Sequence, residues 1–150
     1  VFPHVPGDGR EWVVTDPLAQ SVQSSDGRSV KGVDLRPFVH ALPLGQDTAF
    51  FPTGDASGST SLAAAILEAL EMGARVLLLD EDTSATNLLV RDARMQALVR
   101  RETLTPILDR VQDFKALGVS LVLVVGGVGD YAIGVFTAPL EEVLKRVVPL

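Results

Sequence analysis

The sequence predicts an α/β fold whose strands form a parallel sheet. In its second half, helical patterns alternate with short apolar runs, which is the order of elements in α/β proteins. Two of these runs, Ala74–Asp80 and Val119–Gly127, are almost wholly apolar, as strands are when helices cover both faces of a sheet. The sequence has no internal repeat, so we expect residues 1–150 to form a single domain.

The first half contains shorter elements. Glu11–Asp16 is an apolar run that ends before a proline, which predicts a strand. The Ser-Asp-Gly sequence at residues 25–27 is a turn signal between two short polar runs, so a β-hairpin is expected there. Asp34–Leu42 predicts one or two helical turns capped by its aspartate, and Pro43–Gly58 is loop-like.

The second half contains longer helices. Ser59–Gly73 opens with serine and threonine, continues with alanine and leucine, and ends at glycine, so a strong helix is predicted. Asp92–Arg101 and Thr105–Gly118 also have helical patterns. Ala138–Val148 predicts a final amphipathic helix.

Composition excludes several classes of protein. Hydrophobic residues make up 47% of the chain, enough to form a core. The net charge of −6 disfavours nucleic-acid binding by bulk electrostatics, and the absence of cysteine excludes disulfides and cysteine metal sites. No apolar run approaches the roughly 18–20 residues of a membrane span, and no signal peptide is recognised, so we expect a soluble, cytoplasmic protein without a membrane partner.

The acidic residues Asp80, Glu81 and Asp82 directly follow an apolar strand. Parallel sheets bind ligands at the carboxyl ends of their strands. Neighbouring carboxylates repel each other unless they are solvated or a cation lies between them. An apolar strand that ends in Asp-Glu has the form of a Walker B motif, in which the aspartate helps to hold Mg²⁺ and the glutamate polarises water. A solvated strand end remains the alternative.

The order of segments around this strand is informative. A Ser-Gly-polar turn that opens a helix, a strand ending in Asp-Glu, and a Thr-Ser-Ala loop follow one another, as in ATP-binding-cassette (ABC) ATPases. Ser57 lies 23 residues before Asp80, the usual separation of the signature and Walker B motifs in that superfamily. The chain resembles more specifically the predicted ABC-class ATPase family of bacteria and some protists. The resembling segments, which span roughly Val1 to Tyr131, are PHVPGDGREWVVTDP, DGRSVKGVDLRPFV, DASGSTS, ARVLLLDEDTSATNLLVRDARMQALV, TPILDRV and VLVVGGVGDY.

This resemblance implies a partial P-loop-NTPase-like core and a role for several residues. Asp80 would support Mg²⁺, and Glu81 would be the general base or would position the attacking water. A second group would form the signature, which faces the ATP of a partner subunit: Ser57, Gly58, Ser59 and Thr60. A third group would form the loop that crosses the dimer interface: Ser84, Ala85, Thr86 and Asn87.

The chain departs from the superfamily pattern at several positions. Asn87 replaces the usual aspartate, and Asp82 replaces the usual proline. Gly126 and Gly127 occupy the positions of a Thr-His pair that carries the switch histidine. Gly127 would then contribute backbone N–H groups, and Asp130 would replace part of the histidine's function.

The phosphate loop is missing, because G-x-x-x-x-G-K-[ST] does not occur in the 150 residues. We therefore expect the chain to be the carboxy-proximal part of an ABC-class ATPase core that uses ATP and Mg²⁺ as a homodimer. Alone, it should bind ATP poorly and hydrolyse it negligibly. The resemblance fades after Tyr131, so residues 132–150 are expected to be a divergent C-terminal helix.

Two other functions stay open at this point. The chain could be a non-catalytic α/β binding or scaffolding module in which the acidic residues are structural. It could also be an RNA-associated module gated by ATP, in which arginines of one helix contact RNA, although a solvated helix face explains the same pattern. These are Arg91, Arg94, Arg100 and Arg101. The two histidines, His4 and His40, are expected at the surface or in packing.

Overall fold

The computed structural model describes residues 16–41, 45, 47–89 and 103–124. They form two sheets with helices between the strands of the larger one. Short 3-10 turns occur at Glu81–Thr83 and Ile107–Arg110. In chain order the elements are β1 (Ala19–Ser21), β2 (Val30–Val33), β3 (Phe51–Thr53), α1 (Gly58–Glu71), β4 (Val76–Asp80), α2 (Thr86–Leu89), α3 (Val111–Ala116) and β5 (Ser120–Val124).

The larger sheet is parallel and has the order β1-β4-β5. Val76 lies opposite Ala19 on one side and Ser120 on the other, and Asp80 lies opposite Val124. The α/β fold predicted from the alternating helices and strands is therefore confirmed. Since the three strands run in one direction, their carboxyl ends share one edge, at which β4 presents its acidic residues.

Helix α1 forms as the sequence predicts. It begins at Gly58 and ends at Glu71, and Gly73 follows with a φ of +86°, a conformation that glycine adopts without the strain a Cβ would cause. The N–H of Gly73 donates to Leu70 O at 2.9 Å and that of Ala74 to Ala69 O at 3.0 Å. This pair of bonds is a Schellman motif, which satisfies carbonyls at the end of the helix.

The core consists of apolar side chains, most of them aliphatic, from β2, β3, α1, β4, α2, α3 and the segments that flank them. Fully burying one such side chain stabilises the fold by about 1.5–3 kcal/mol. The buried side chains of β4 therefore hold the strand in place, and its last residue, Asp80, has a fixed position. The largest side chains with exposure below 2% include Leu35, Leu62, Ile66, Leu77, Leu79, Leu88, Leu89 and Ile107.

The predicted hairpin around residues 25–27 is wrong, although a turn does occur at Asp26 and Gly27. β1 joins the parallel sheet beside β4, whereas β2 pairs with β3 in a separate antiparallel sheet. Tertiary pairing with distant strands therefore prevails over local pairing across the turn. The segment predicted as a loop, Pro43–Gly58, contains β3.

Of the one or two helical turns expected at Asp34–Leu42, the described residues form one, in which Val39 N–H donates to Leu35 O at 2.8 Å. Val39 forms an isolated antiparallel bridge with Leu104. On either side of it, Thr105 N–H donates to Phe38 O and His40 N–H donates to Thr103 O, each at 2.8 Å. A longer helix would need Phe38 O and His40 N–H for its own hydrogen bonds, but both are bonded to the segment around Leu104.

The helix predicted from Thr105 to Gly118 is shorter than expected. Its first part is the 3-10 turn Ile107–Arg110, which follows the extended residue Pro106, and only Val111–Ala116 is α-helical. The helix ends before Gly118 as predicted, with Val119 N–H donating to Phe114 O at 2.9 Å.

Strand β5 differs from the prediction that helices cover both of its faces. Val122 is 45% exposed and Val124 is 42% exposed, so the described residues cover only the opposite face. Within the described ranges no helix is long and apolar enough to cross a membrane. The strand predicted at Glu11–Asp16, apart from its last residue, and the helices predicted at Asp92–Arg101 and within residues 132–150 lie outside the described residues.

Candidate functional site

The acidic residues that follow β4 form a tight turn. Asp80 is the last residue of the strand, and its side chain accepts a 3.2 Å hydrogen bond from Asp82 N–H. The Thr83 hydroxyl donates to Asp80 O at 3.4 Å, and Ser84 N–H donates to Glu81 O at 3.2 Å. Asp80 and Glu81 are partly buried and Asp82 is exposed. The turn therefore holds two carboxylates at the edge of the sheet and turns the third toward solvent.

The turn has carboxylate oxygens that could hold a metal ion together with oxygens of a ligand. Among the residues described, no group of three His, Cys, Asp or Glu side chains converges on a point where a metal ion could bind. Mg²⁺ does not need such a cage, because it is commonly held by one or two carboxylates together with water and phosphate oxygens. Asp80, partly buried at the end of a parallel strand, fits that mode of binding.

The start of α1 carries the hydroxyl-rich segment. The side chain of Ser57 does not bond to the backbone of the first turn; its hydroxyl instead donates to Thr60 Oγ1 at 3.0 Å. The first turn contains no acidic residue. The helix is 14 residues long, so its first N–H groups carry the partial positive charge of a full helix dipole. This end of α1 can therefore attract an anion.

The loop after the acidic turn contacts the start of α1. The Ser59 hydroxyl donates to Asn87 Oδ1 at 2.8 Å. A Cβ placed on Gly58 would lie 3.8 Å from Ala85 Cβ. The structure thus brings together two of the segments that the sequence predicts as functional, the signature and the loop that follows the acidic strand.

A third segment contacts both the acidic turn and α1; its sequence predicts a hairpin turn, and its last residues belong to a segment that resembles the family, but it carries no predicted site residue. We call residues Ser24–Arg28 the 24–28 turn. Its Ser24 N–H donates to Thr83 O at 2.8 Å, and its Ser25 N–H donates to Ser61 Oγ at 2.9 Å. The Asp-Gly sequence indicated a turn, but no local signal indicated that the turn would lie against the acidic residues and α1.

Other candidates from the sequence are not joined to this site. His40 is exposed and its ring lies 2.5 Å from Thr105 Oγ1, which agrees with a packing role. Gly127 and Asp130, the two candidates for the function of the switch histidine, lie outside the described residues. His4 and the arginines at positions 91, 94, 100 and 101 do as well.

Among the described residues, the pKa values of Asp34 and Arg36 are shifted, because the two side chains form an exposed ion pair before α1. Arg36 donates to both carboxylate oxygens of Asp34, at 2.8 Å from Nε and 2.6 Å from Nη2. These hydrogen bonds hold the pKa of Asp34 below its usual value and raise that of Arg36. The pair fixes the turn that precedes Phe38 and takes no part in the acidic turn.

Comparison with known proteins identifies the family of the chain. A family model described as the ABC_ATPase P-loop domain matches residues 1–135. The uncharacterized protein MJ1628 of Methanocaldococcus jannaschii is 32% identical to the chain over 123 residues, which is 81% of this chain and 27% of that relative. The chain therefore spans a minor part of the relative's length. The acidic turn, the start of α1 and the 24–28 turn all lie within the residues that the family model matches.

Proposed function

This chain belongs to the ABC_ATPase P-loop domain family, and from that premise we propose that it contributes the metal-binding and signature parts of a site that binds and hydrolyses Mg-ATP. The family makes nucleotide chemistry the first expectation, and the arrangement of side chains supports a specific division of roles. The activity of the whole protein is part of this proposal, because the chain spans 27% of its curated relative.

One observation supports the proposal above the others. The Ser59–Asn87 hydrogen bond of 2.8 Å joins the start of α1 to the loop that follows the acidic turn. Both segments lie near the carboxyl edge of the parallel sheet, where such folds bind ligands. A solvated strand end would explain the acidic residues alone, but it gives no reason for a hydroxyl-rich helix start bonded beside them.

The acidic residues then have separate roles. Asp80 would help to hold Mg²⁺, and the metal would neutralise negative charge on the phosphates of ATP. Glu81 follows it in the turn and would accept a proton from the attacking water, or orient that water, toward the γ-phosphate. The metal supplies charge neutralisation when it is bound, and Glu81 supplies the base.

The start of α1 has the second role. We propose that Ser57, Gly58, Ser59 and Thr60 face the γ-phosphate of ATP held by a partner subunit. The helix dipole and the backbone N–H groups at the first positions of this helix favour a negatively charged group. Ser84 and Asn87 would lie at the same interface. Two chains arranged head to tail would enclose two molecules of ATP.

The proposed site needs a phosphate loop in addition to these residues. No G-x-x-x-x-G-K-[ST] occurs in the 150 residues, so in this proposal the loop would come from another segment of polypeptide. We accordingly expect weak ATP binding by the 150 residues alone, and we place the test in the full-length protein.

Turnover of Mg-ATP by the full-length protein tests the role of Glu81. Glu81→Gln keeps the size of the side chain and removes the base, so kcat should fall by about 10²–10⁴-fold while ATP binding persists. Asp82→Asn is the matched control, because it neutralises the neighbouring, exposed carboxylate. Its kcat should stay near that of the parent protein. Equal rates for Glu81→Gln and the parent would show that the role assigned to Glu81 is wrong.

A further inference from the structure

We infer that the 24–28 turn, through the buried hydroxyl of Ser61, is a positioning device that holds the start of α1 at a fixed place relative to the acidic turn after β4. The functional part of this inference rests on the proposed ATPase function. Its structural part, the coupling of the two segments through the turn, does not.

Ser61 is the centre of this device. Its side chain is fully buried, with 0% exposure. The hydroxyl donates to Gly58 O at 2.9 Å and accepts from Ser25 N–H at 2.9 Å. Its proton and one of its lone pairs are thus engaged, as a buried hydroxyl requires. Ser61 therefore ties the first turn of α1 to a segment that precedes it by about 36 residues.

The same turn is also tied to the acidic segment. Ser24 N–H donates to Thr83 O at 2.8 Å, one residue before the Ser61 contact. Two consecutive backbone N–H groups of one turn therefore bind two different parts of the proposed site. A displacement of α1 relative to the acidic turn would have to break one of these bonds or distort the 24–28 turn.

Further contacts hold the turn along α1. Gly27 N–H donates to Ala56 O at 2.8 Å, and Ala56 N–H donates to Arg28 O at 3.0 Å. The Arg28 guanidinium donates from Nη2 to Glu68 Oε2 at 2.8 Å and to Ser61 O at 3.5 Å. The side chains of Arg28 and Glu68 are 28% and 37% exposed, so solvent screens this pair only in part.

The device has a consequence for a two-subunit site. In the proposed arrangement, the start of α1 acts on the partner's ATP, whereas Asp80 and Glu81 act on the ATP of their own subunit. The 24–28 turn would fix the distance between these two groups within one chain. Ser61 is a positioning residue, because it is buried and acts through Gly58 and Ser25 rather than on a ligand. A misplacement of about 1 Å is enough to reduce turnover about 100-fold.

Amide hydrogen exchange on this chain tests the coupling without reference to ATP. In Ser61→Ala, the protection of the Ser25 amide should fall at least about tenfold relative to the Ile66 amide, which reports on the core of α1. Amides of Ser24, Ser84 and Leu88, which donate to Thr83 O, Glu81 O and Ala85 O, should lose protection as well. Ser61→Thr should restore it, since a threonine in a helix can bond back to the carbonyl three residues earlier. Ser120→Ala, at an exposed serine of β5, is the control.

A second variant keeps the test valid if Ser61→Ala does not fold. Arg28→Gln loosens the turn from its partly exposed side and leaves the buried hydroxyl in place. It should reduce the protection of the Ser25 amide in the same direction. If both variants leave the protection of Ser25 and Ser84 unchanged relative to Ile66, the 24–28 turn does not couple the two segments.

Turnover by the full-length protein tests the functional part. Ser61→Ala should lower kcat about 10-fold with the dissociation constant for ATP unchanged, and Ser61→Thr should recover most of the rate. Altered exchange with unchanged kcat would overturn the positioning role. If the parent protein itself fails to hydrolyse Mg-ATP, the proposed function fails, and the exchange result alone decides whether the turn couples the segments.

Discussion

The hydroxyl of Ser59 donates a 2.8 Å hydrogen bond to Oδ1 of Asn87, 28 residues further along the chain. Ser59 lies in the first turn of α1 and Asn87 lies in α2, so the bond spans the space between two helix starts. It also links the two segments that a dimer of the proposed kind would present to its partner.

Removing either partner of the Ser59–Asn87 bond should cost little, because both side chains are near the surface. We expect Ser59→Ala and Asn87→Ala each to lower the free energy of unfolding by about 0.5–1 kcal/mol. The double variant should lose less than the sum, with a coupling energy of about 0.5 kcal/mol. Urea unfolding of this chain measures all three. Asn87→Asp, which keeps an acceptor at the same position, is the control, and strict additivity would show that the bond contributes nothing.

ATP should drive association of the full-length protein when hydrolysis is blocked. Glu81→Gln leaves the binding groups intact, so it should accumulate as an ATP-bound dimer that analytical ultracentrifugation resolves from the parent protein. Adding Ser57→Arg places a long side chain in the proposed interface and should return the mass to that of the nucleotide-free protein. A Glu81→Gln protein whose mass is the same with and without ATP would contradict the head-to-tail arrangement.

Gly58 should tolerate a methyl group only if Asp26 moves. A Cβ on Gly58 would lie 2.8 Å from Asp26 Oδ1, too close for an unshifted contact. Alanine also has a higher helix propensity than glycine, by about 1 kcal/mol. Gly58→Ala should therefore change stability by no more than about 1 kcal/mol. In an Asp26→Ala background the same substitution should be stabilising, and thermal unfolding of the four variants tests this. Identical effects in both backgrounds would show that Asp26 does not restrict the position.

Gly32 should be far less tolerant. Its φ is +69°, and a Cβ there would lie 2.6 Å from the ring of Phe50, which is 68% exposed. Gly32→Ala should lower stability by about 1–3 kcal/mol, since an L-residue is strained at this φ. Phe50→Ala should relieve the clash but not the strain, so the double variant should recover only part of the loss. Full recovery would assign the whole effect to the ring.

The carboxyl group of Asp34 should titrate below the usual range, because Arg36 donates hydrogen bonds to its charged form. Its pKa is lower in the folded state than in the unfolded state. The contribution to stability is therefore present above the unfolded pKa of about 3.9 and is lost as the pH falls through the folded value. NMR titration of the Asp34 carboxyl carbon measures this pKa. In Arg36→Gln it should move back toward the usual value, and no movement would exclude Arg36 as the cause.

Local signals account for the elements that the sequence predicts well. α1 has helix formers through its length and a glycine where the chain must leave the helix, and β4 is apolar up to its acidic end. Both determinants act within a few residues, so they are visible without the fold. β3 was missed because Phe51, Pro52 and Thr53 are flanked by loop-like residues, and only its partner β2 makes the segment a strand.

The segments of the candidate site also differ in whether a local sequence motif indicates them. The order of segments identified the acidic turn, the start of α1 and the loop that follows, because each carries its own motif. The sequence of the 24–28 turn predicts its shape and, from Asp26 onward, resembles the family, but it assigns the turn no role in the site. Its role depends on Ser61, which looks like an ordinary polar helix residue in the sequence but is fully buried in the structure. Burial and long-range hydrogen bonds are properties of the assembled chain, so sequence patterns do not reveal them.

The parallel sheet also determines when the site can come into existence. β1 and β4, and β4 and β5, pair residues more than 40 positions apart in the chain. Each pairing closes a long loop at an entropic cost on the order of 3 kcal/mol, and such distant contacts make folding slow. α1 can form early from local contacts, but the acidic turn acquires its neighbours only when the sheet closes. A nascent or partly folded chain can therefore contain the helix before the acidic turn has acquired the neighbours described above.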